Sequence, residues 1–300
     1  MKNVLRYTHW VSISLLAVLL AGCSTIQRTG VANFSAGVTA AKGQTSLAFQ
    51  AVTDFTSESI IDFAASRPTL TDTNFLPVLD PASLAVWDQV FSVLQKYAQN
   101  LAVLTSPNLT KDYEDGVVNL ATEVKQVGED LKSQKMISEV PSLSPSLSAA
   151  FTELGDLLIR AKAQHDAKAV SSHTDPTIKT IFTTMADAIG ASQTRNLRGT
   201  VRAHWEQRKA TLKGNFLEAT TPAEHRTIAA KYASLLNGQT TQDLALGSLQ
   251  RSFLALADAH HALAQGSRPG VIAAISAVEQ EVQNTQNLIN RFNSISHTSR

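Results

Sequence analysis

One cysteine, eight histidines and several spaced charges are the residues of this chain with chemical potential. Cys23 is the sole thiol, so it forms no disulfide within the chain. His165 follows Ala161 by one helical turn, and His260 lies between Leu256 and Leu263. Both sit on apolar seams, and two seam histidines from different helices would suit a metal or a haem. A core or end-capping histidine explains the same pattern. His260 and His261 diverge by about 100° on a helix and do not readily share one ion. Glu58 with Asp62 and Asp112 with Asp115 share a helix face as carboxylate pairs do, and so does ordinary solvated helix surface. The chain has no G-x-S-x-G, S-x-x-K, phosphate-loop or G-x-G-x-x-G motif, and no H-E-x-x-H or E-x-x-H. Gly266 to Gly270 reads as a helix–helix turn rather than an anion nest. The expectation is therefore no catalytic residue, no metal site and no cofactor.

The best pattern outside the core is basic. Arg195, Arg198, Arg202, Lys209 and Lys213 fall within about 60° of one another on a helix. Glu206 interrupts the row, and Arg208 lies nearer the apolar face. Such a row could attract phosphates of lipid head groups or an acidic partner. Internal pairing competes with that reading, because the stretch 109–139 holds seven acidic against four basic side chains.

The N-terminus explains the lone thiol. Lys2 and Arg6 precede an apolar run from Trp10 to Ala21. That run is shorter than the roughly 20 residues of a bilayer-spanning helix and suits a secretory signal. It ends in Leu20-Ala21-Gly22-Cys23. This tetrad resembles the lipobox of bacterial lipoproteins. The resemblance implies diacylglyceryl transfer to the Cys23 sulfur, cleavage that removes residues 1–22, and acylation of the new amine. Several acyl chains at about 0.8 kcal/mol per buried CH2 anchor a protein stably. Ser24, a non-Asp residue after the cysteine, is what the resemblance associates with sorting to an outer membrane, facing the periplasm.

Composition narrows the rest. The 300 residues are 43% hydrophobic and 17% charged with net charge +1, which excludes a disordered tail and a disulfide-stapled miniprotein. The near-neutral balance argues against nucleic acid as a partner.

Apolar residues recur at three- and four-residue steps almost throughout. Val31, Phe34, Val38, Ala41, Ala48, Val52 and Phe55 form the first stripe, interrupted by polar Thr45. Others run Leu84 to Leu101, Tyr113 to Leu131, Leu147 to Ala161, Ile178 to Phe216, Leu246 to Leu263 and Ile275 to Phe292. Prolines fall between them, and Thr221-Pro222-Ala223-Glu224 reads as a capping box. The pattern predicts an all-α, elongated antiparallel helical bundle with coiled-coil-like seams. About eight helices are expected, near 30–65, 81–105, 109–138, 146–170, 176–219, 222–237, 241–265 and 270–296. Residues 23–29 would be a lipidated tether and 30–300 the bundle, with the proline- and serine-rich 141–146 linker as a candidate subdomain boundary.

The functional expectation is a membrane-anchored envelope lipoprotein serving as an interaction or structural module, with the membrane and an envelope protein as partners. The alternative is a helical bundle that binds a lipid, haem or metal between its helices.

Overall fold

The computed structural model describes residues 4–65, 69–105, 111–133, 145–161 and 166–298, with α1 side chains described from Arg28 onward. Among them the fold is an all-α bundle. Its helices are α1 (Val4–Ala65), α2 (Pro81–Leu104), α3 (Lys111–Ser133), α4 (Pro145–Ala161), α5 (Ala167–Ile189), α6 (Asn196–Glu218), α7 (Pro222–Gln265) and α8 (Arg268–Thr298). One contiguous cluster of buried apolar residues draws on all eight helices.

Local signals set most helix ends. Asp80 caps α2 by accepting from the Ser83 amide at 2.8 Å, with Pro81 in the first turn. Asp166 accepts from the Lys168 amide and starts α5. Thr221 and Glu224 form the expected capping box at the start of α7. Gly266, at φ 65°, ends α7 in the left-handed conformation that glycine adopts without penalty.

Five expectations about helix ends fail, each for a local reason. The helix expected over 146–170 is broken by Asp166, whose extended backbone and side-chain cap start α5 at Ala167, while α4 ends at Ala161. α1 starts at Val4 rather than near 30 and takes in 23–29, since no proline interrupts that stretch. The helix expected over 176–219 breaks at Gly190, φ 108°, and α6 resumes at Asn196, still running against α7. Pro176 lies inside α5 instead of starting a helix. Its ring nitrogen carries no hydrogen, so the Ser172 carbonyl lacks its usual intrahelical donor. Asn237-Gly238 does not end a helix either: α7 runs straight through it. The 141–144 part of the linker lies outside the described residues, and the helices flanking it, α3 and α4, pack on each other.

Glycine sets how closely α1 docks. A Cβ built on Gly30 would meet Val271 Cγ1 at 2.8 Å and Leu263 Cδ2 at 2.9 Å. One heptad on, a Cβ on Gly37 would meet Val278 Cγ1 at 3.0 Å and Leu256 Cδ2 at 3.3 Å. Contacts therefore advance along α8 and retreat along α7. α1 lies parallel to α8 and antiparallel to α7, in the furrow between them. Gly37→Leu is expected to destabilise the fold by about 1–3 kcal/mol through overpacking. Gly43, with nothing within 4 Å of its built Cβ, is the control. Gly43→Ala should stabilise by about 0.5–1 kcal/mol by helix propensity alone. Urea midpoints moving in opposite directions would check the pair.

The apolar stripes are core almost without exception. Val38, Ala41, Val52, Phe91, Leu94, Phe151, Phe182 and Phe253 are fully buried, and Thr45 is buried with its hydroxyl donating to the Ala41 carbonyl. Leu84 and Val282 are half-buried, and the far part of α6 departs furthest. Leu212 is half-buried and Phe216 is exposed. There α6 and the start of α7 form a two-helix hairpin with a thin seam, in which Phe216 meets the His225 ring edge-on.

Candidate functional site

Two places outside the plain core concentrate chemistry. The first is an open groove of about 830 Å³ bounded by α1, α6, α7 and the end of α8. Its floor is aromatic. Phe55 and Trp205 stack with ring centroids 3.8 Å apart, and Phe292 meets Trp205 edge-on at 6.3 Å. Gly238 lies under the indole: a Cβ there would stand 2.8 Å from Trp205 Cη2. The indole N–H donates to Gln242 Oε1 at 2.7 Å, and the Gln242 amide donates to the Ala51 carbonyl at 3.3 Å. This ties α6, α7 and α1 together beneath the groove.

The groove's charges are only partly matched. Arg208 pairs with Asp62 at 3.1 Å and Glu58 at 3.4 Å, while its guanidinium sits 5.5 Å over the Phe55 ring. Glu58 and Asp62, noted above as a carboxylate pair, are thus counter-ions of one arginine rather than an acid–base couple. Asp54 on α1 and Lys231 on α7 are exposed rim residues with no ion pair or hydrogen bond among the described residues.

The basic stripe lies along the neighbouring face of α6. Arg198 holds Asp243 of α7 in a fork, at 2.8 and 2.9 Å, and also donates to the Gly190 carbonyl. Arg202 donates to Gln193 Oε1 at 3.0 Å and lies 3.9 Å from Glu206. Lys209 donates to Glu206 at 2.6 Å, and this bond holds the Glu206 carboxyl below its ordinary range. Lys213 lies 5.8 Å over the Tyr232 ring. Arg195 is exposed at the N-cap of α6 without a side-chain capping bond. Among the described residues, the counter-charges of this row are Asp243 and, within the row, Glu206, and none comes from the described part of the acidic 109–139 stretch. Helix periodicity identified the row but not its partners, which depend on where α7 passes.

The second place is a buried polar chain across three helices. His260 is fully buried. Its Nε2 is 2.7 Å from the Tyr97 hydroxyl of α2, and its Nδ1 is 3.0 Å from Asp175 Oδ1 of α5. Tyr97 also meets the Thr174 hydroxyl at 2.6 Å. Exposed His261 contacts the other Asp175 oxygen at 2.7 Å. The adjacent histidines differ in burial, yet one carboxylate spans both. Burial holds His260 below the ordinary histidine range, against the opposing pull of Asp175. For Asp175, burial raises the pKa, but hydrogen bonds from His260 and His261 outweigh it and leave the carboxyl below its ordinary range. Tyr97 and Asp175 escaped the sequence reading. Tyr97 lies beside the α2 stripe through Leu94, Ala98 and Leu101 and is not one of its positions, and Asp175-Pro176 reads as a helix start.

The remaining candidates yield less. The side chains of Cys23 and Asp112, and all of His165, lie outside the described residues; Asp115 is exposed. Among the described residues no group of three or more His, Cys, Asp and Glu is placed to hold a metal, and no helix is long and apolar enough to cross a membrane. No protein-family model, curated protein or solved structure matches the chain.

Proposed function

We propose that the chain is a lipid-anchored lipoprotein of the bacterial cell envelope, held in the outer membrane facing the periplasm, whose helical bundle is an interaction module. The observation that carries the interaction half is the open groove with an aromatic floor and unmatched rim charges. Its α1 wall, 47–65, lies about 36–63 Å along the helix from Cys23 at 1.5 Å per residue. An anchor at one end of a long helix and a recognition groove near the other would hold that groove clear of the lipid surface. The anchor half rests on the lipobox resemblance and the lone thiol.

Expression of Cys23→Ser beside the native chain tests the anchor. The native chain should incorporate labelled palmitate, migrate as the cleaved form and fractionate with outer membranes. The variant should take up no label and retain residues 1–22. Equal labelling of both would end the proposal.

A second reading is favoured by size alone: about 830 Å³ falls within the range of small-molecule pockets. Under it, the purified chain would carry an extractable lipid or a haem absorption band. A clean extract and a featureless visible spectrum would remove it.

A further inference from the structure

The groove walls have a rhythm. Among the α1 residues that line the groove, Leu47, Ala51, Asp54, Glu58, Ile61 and Ala65 follow one another at alternating steps of four and three, with Gln50, Phe55 and Asp62 beside them. α6 contributes Trp205, Arg208, Leu212 and Asn215 at steps of three, four and three. α7 contributes Lys231, Leu235 and Gly238 at steps of four and three. This is the a/d spacing of coiled-coil seams. Elsewhere such stripes are closed by a neighbouring helix, whereas here Leu47 stays 38% and Ile61 58% exposed. Three helices thus turn seam positions toward one open channel, and that geometry fits a helix laid along it.

Charge narrows the occupant. Glu58, Asp62 and Arg208 satisfy one another, whereas Asp54 presents a carboxylate midway along the α1 wall and Lys231 an ammonium on the opposite wall. Gln50, Thr211, Asn215 and Ser234 also line the channel. An acyl chain would cover these polar groups without partners, at a cost for each. A helix with a mixed face would not.

We propose that the groove receives an amphipathic helix from a separate envelope protein. The helix is about 18 residues long, matching the α1 wall. It sets apolar side chains at i, i+3 or i+4, and i+7 against Leu47, Ile61 and Leu212, and a lysine or arginine against Asp54. This deepens the interaction reading above and rests on it.

Photo-crosslinking in the native host tests it, using benzoylphenylalanine at position 47 or 61 of the full chain. Position 118, exposed on α3, is the reference site. Positions 47 and 61 should give adducts to one helical segment with the stated pattern, and position 118 should not. A synthetic peptide of that segment should bind the purified chain, and Asp54→Lys should weaken binding at least about tenfold. Reversing the peptide's basic residue to Glu should restore binding to the Asp54→Lys chain. Adducts only between copies of this chain, only with lipid, or none from 47 and 61 would overturn the proposal, as would binding indifferent to Asp54→Lys. Protein adducts from 118 alone would sink the groove assignment while leaving the interaction reading standing.

Discussion

Replacing Trp205 by alanine should destabilise the fold by about 3–5 kcal/mol, the range for losing a large buried aromatic. Trp205 is only 4% exposed. The substitution removes the stack on Phe55 and the edge contact with Phe292. It also orphans Gln242 Oε1, which is buried and accepts from the indole, at a further cost of about 1–3 kcal/mol if water does not reach it. Relaxation is restricted, because Gly238 beneath the ring has no side chain to move into the space. Trp205→Phe separates the contributions: it keeps most of the packing and loses the hydrogen bond, so its cost should fall well below that of alanine. Urea unfolding of the full chain measures both. A cost for alanine below about 1 kcal/mol would mean the groove floor is not packed as described.

How far these features could be read from sequence depends on how local their causes are. The seams were legible because burial on a helix repeats every three or four residues: Val38, Phe91, Phe151, Phe182 and Phe253 were assigned to the core and are fully buried. The cap at Thr221 was legible because its partner is three residues away. Glycine and proline were ambiguous because their local meaning yields to packing. Gly238 looked like a helix end, yet it makes room for an indole 33 positions away in sequence. Pro176 looked like a helix start, yet the α5 turn around it is tied to α7 by Asp175. The groove was not legible. Leu47, Ile61 and Asp54 gain meaning only once α6 and α7 leave that flank of α1 open. The polar chain was half legible: His260 showed itself on a seam, but its partners come from α2 and α5, 163 and 85 positions away.

That polar chain should make the fold weaken as the pH drops below about 6.5. In the neutral ring, Nδ1–H donates to Asp175 and Nε2 accepts from the Tyr97 hydroxyl, whose oxygen accepts in turn from the Thr174 hydroxyl at 2.6 Å. The buried groups around the ring are then satisfied without a charge on the imidazole. Unfolded, the same histidine takes up a proton near pH 6.5. Folded, it resists until lower pH because burial depresses its pKa. Below about 6.5 the unfolded chain therefore binds more protons, and stability falls by up to about 1.4 kcal/mol per pH unit. Asp175 acts in a separate, lower window. Its depressed pKa contributes stability that is complete above about pH 4 and is lost as the pH falls through the folded value. The double variant Tyr97→Phe with His260→Leu removes both polar partners and leaves Asp175 to His261. Its urea midpoint should decline less steeply than the native one between about pH 7.5 and pH 5, the gap widening to about 1–2 kcal/mol. Asp175→Leu should behave differently. It strands the buried Nδ1–H and should cost about 1–3 kcal/mol even at neutral pH, where the double variant is spared that penalty. A native pH slope retained in full by the double variant would assign the titration to other histidines. Equal losses for Asp175→Leu and the double variant at neutral pH would show that the ring was not held by this carboxylate.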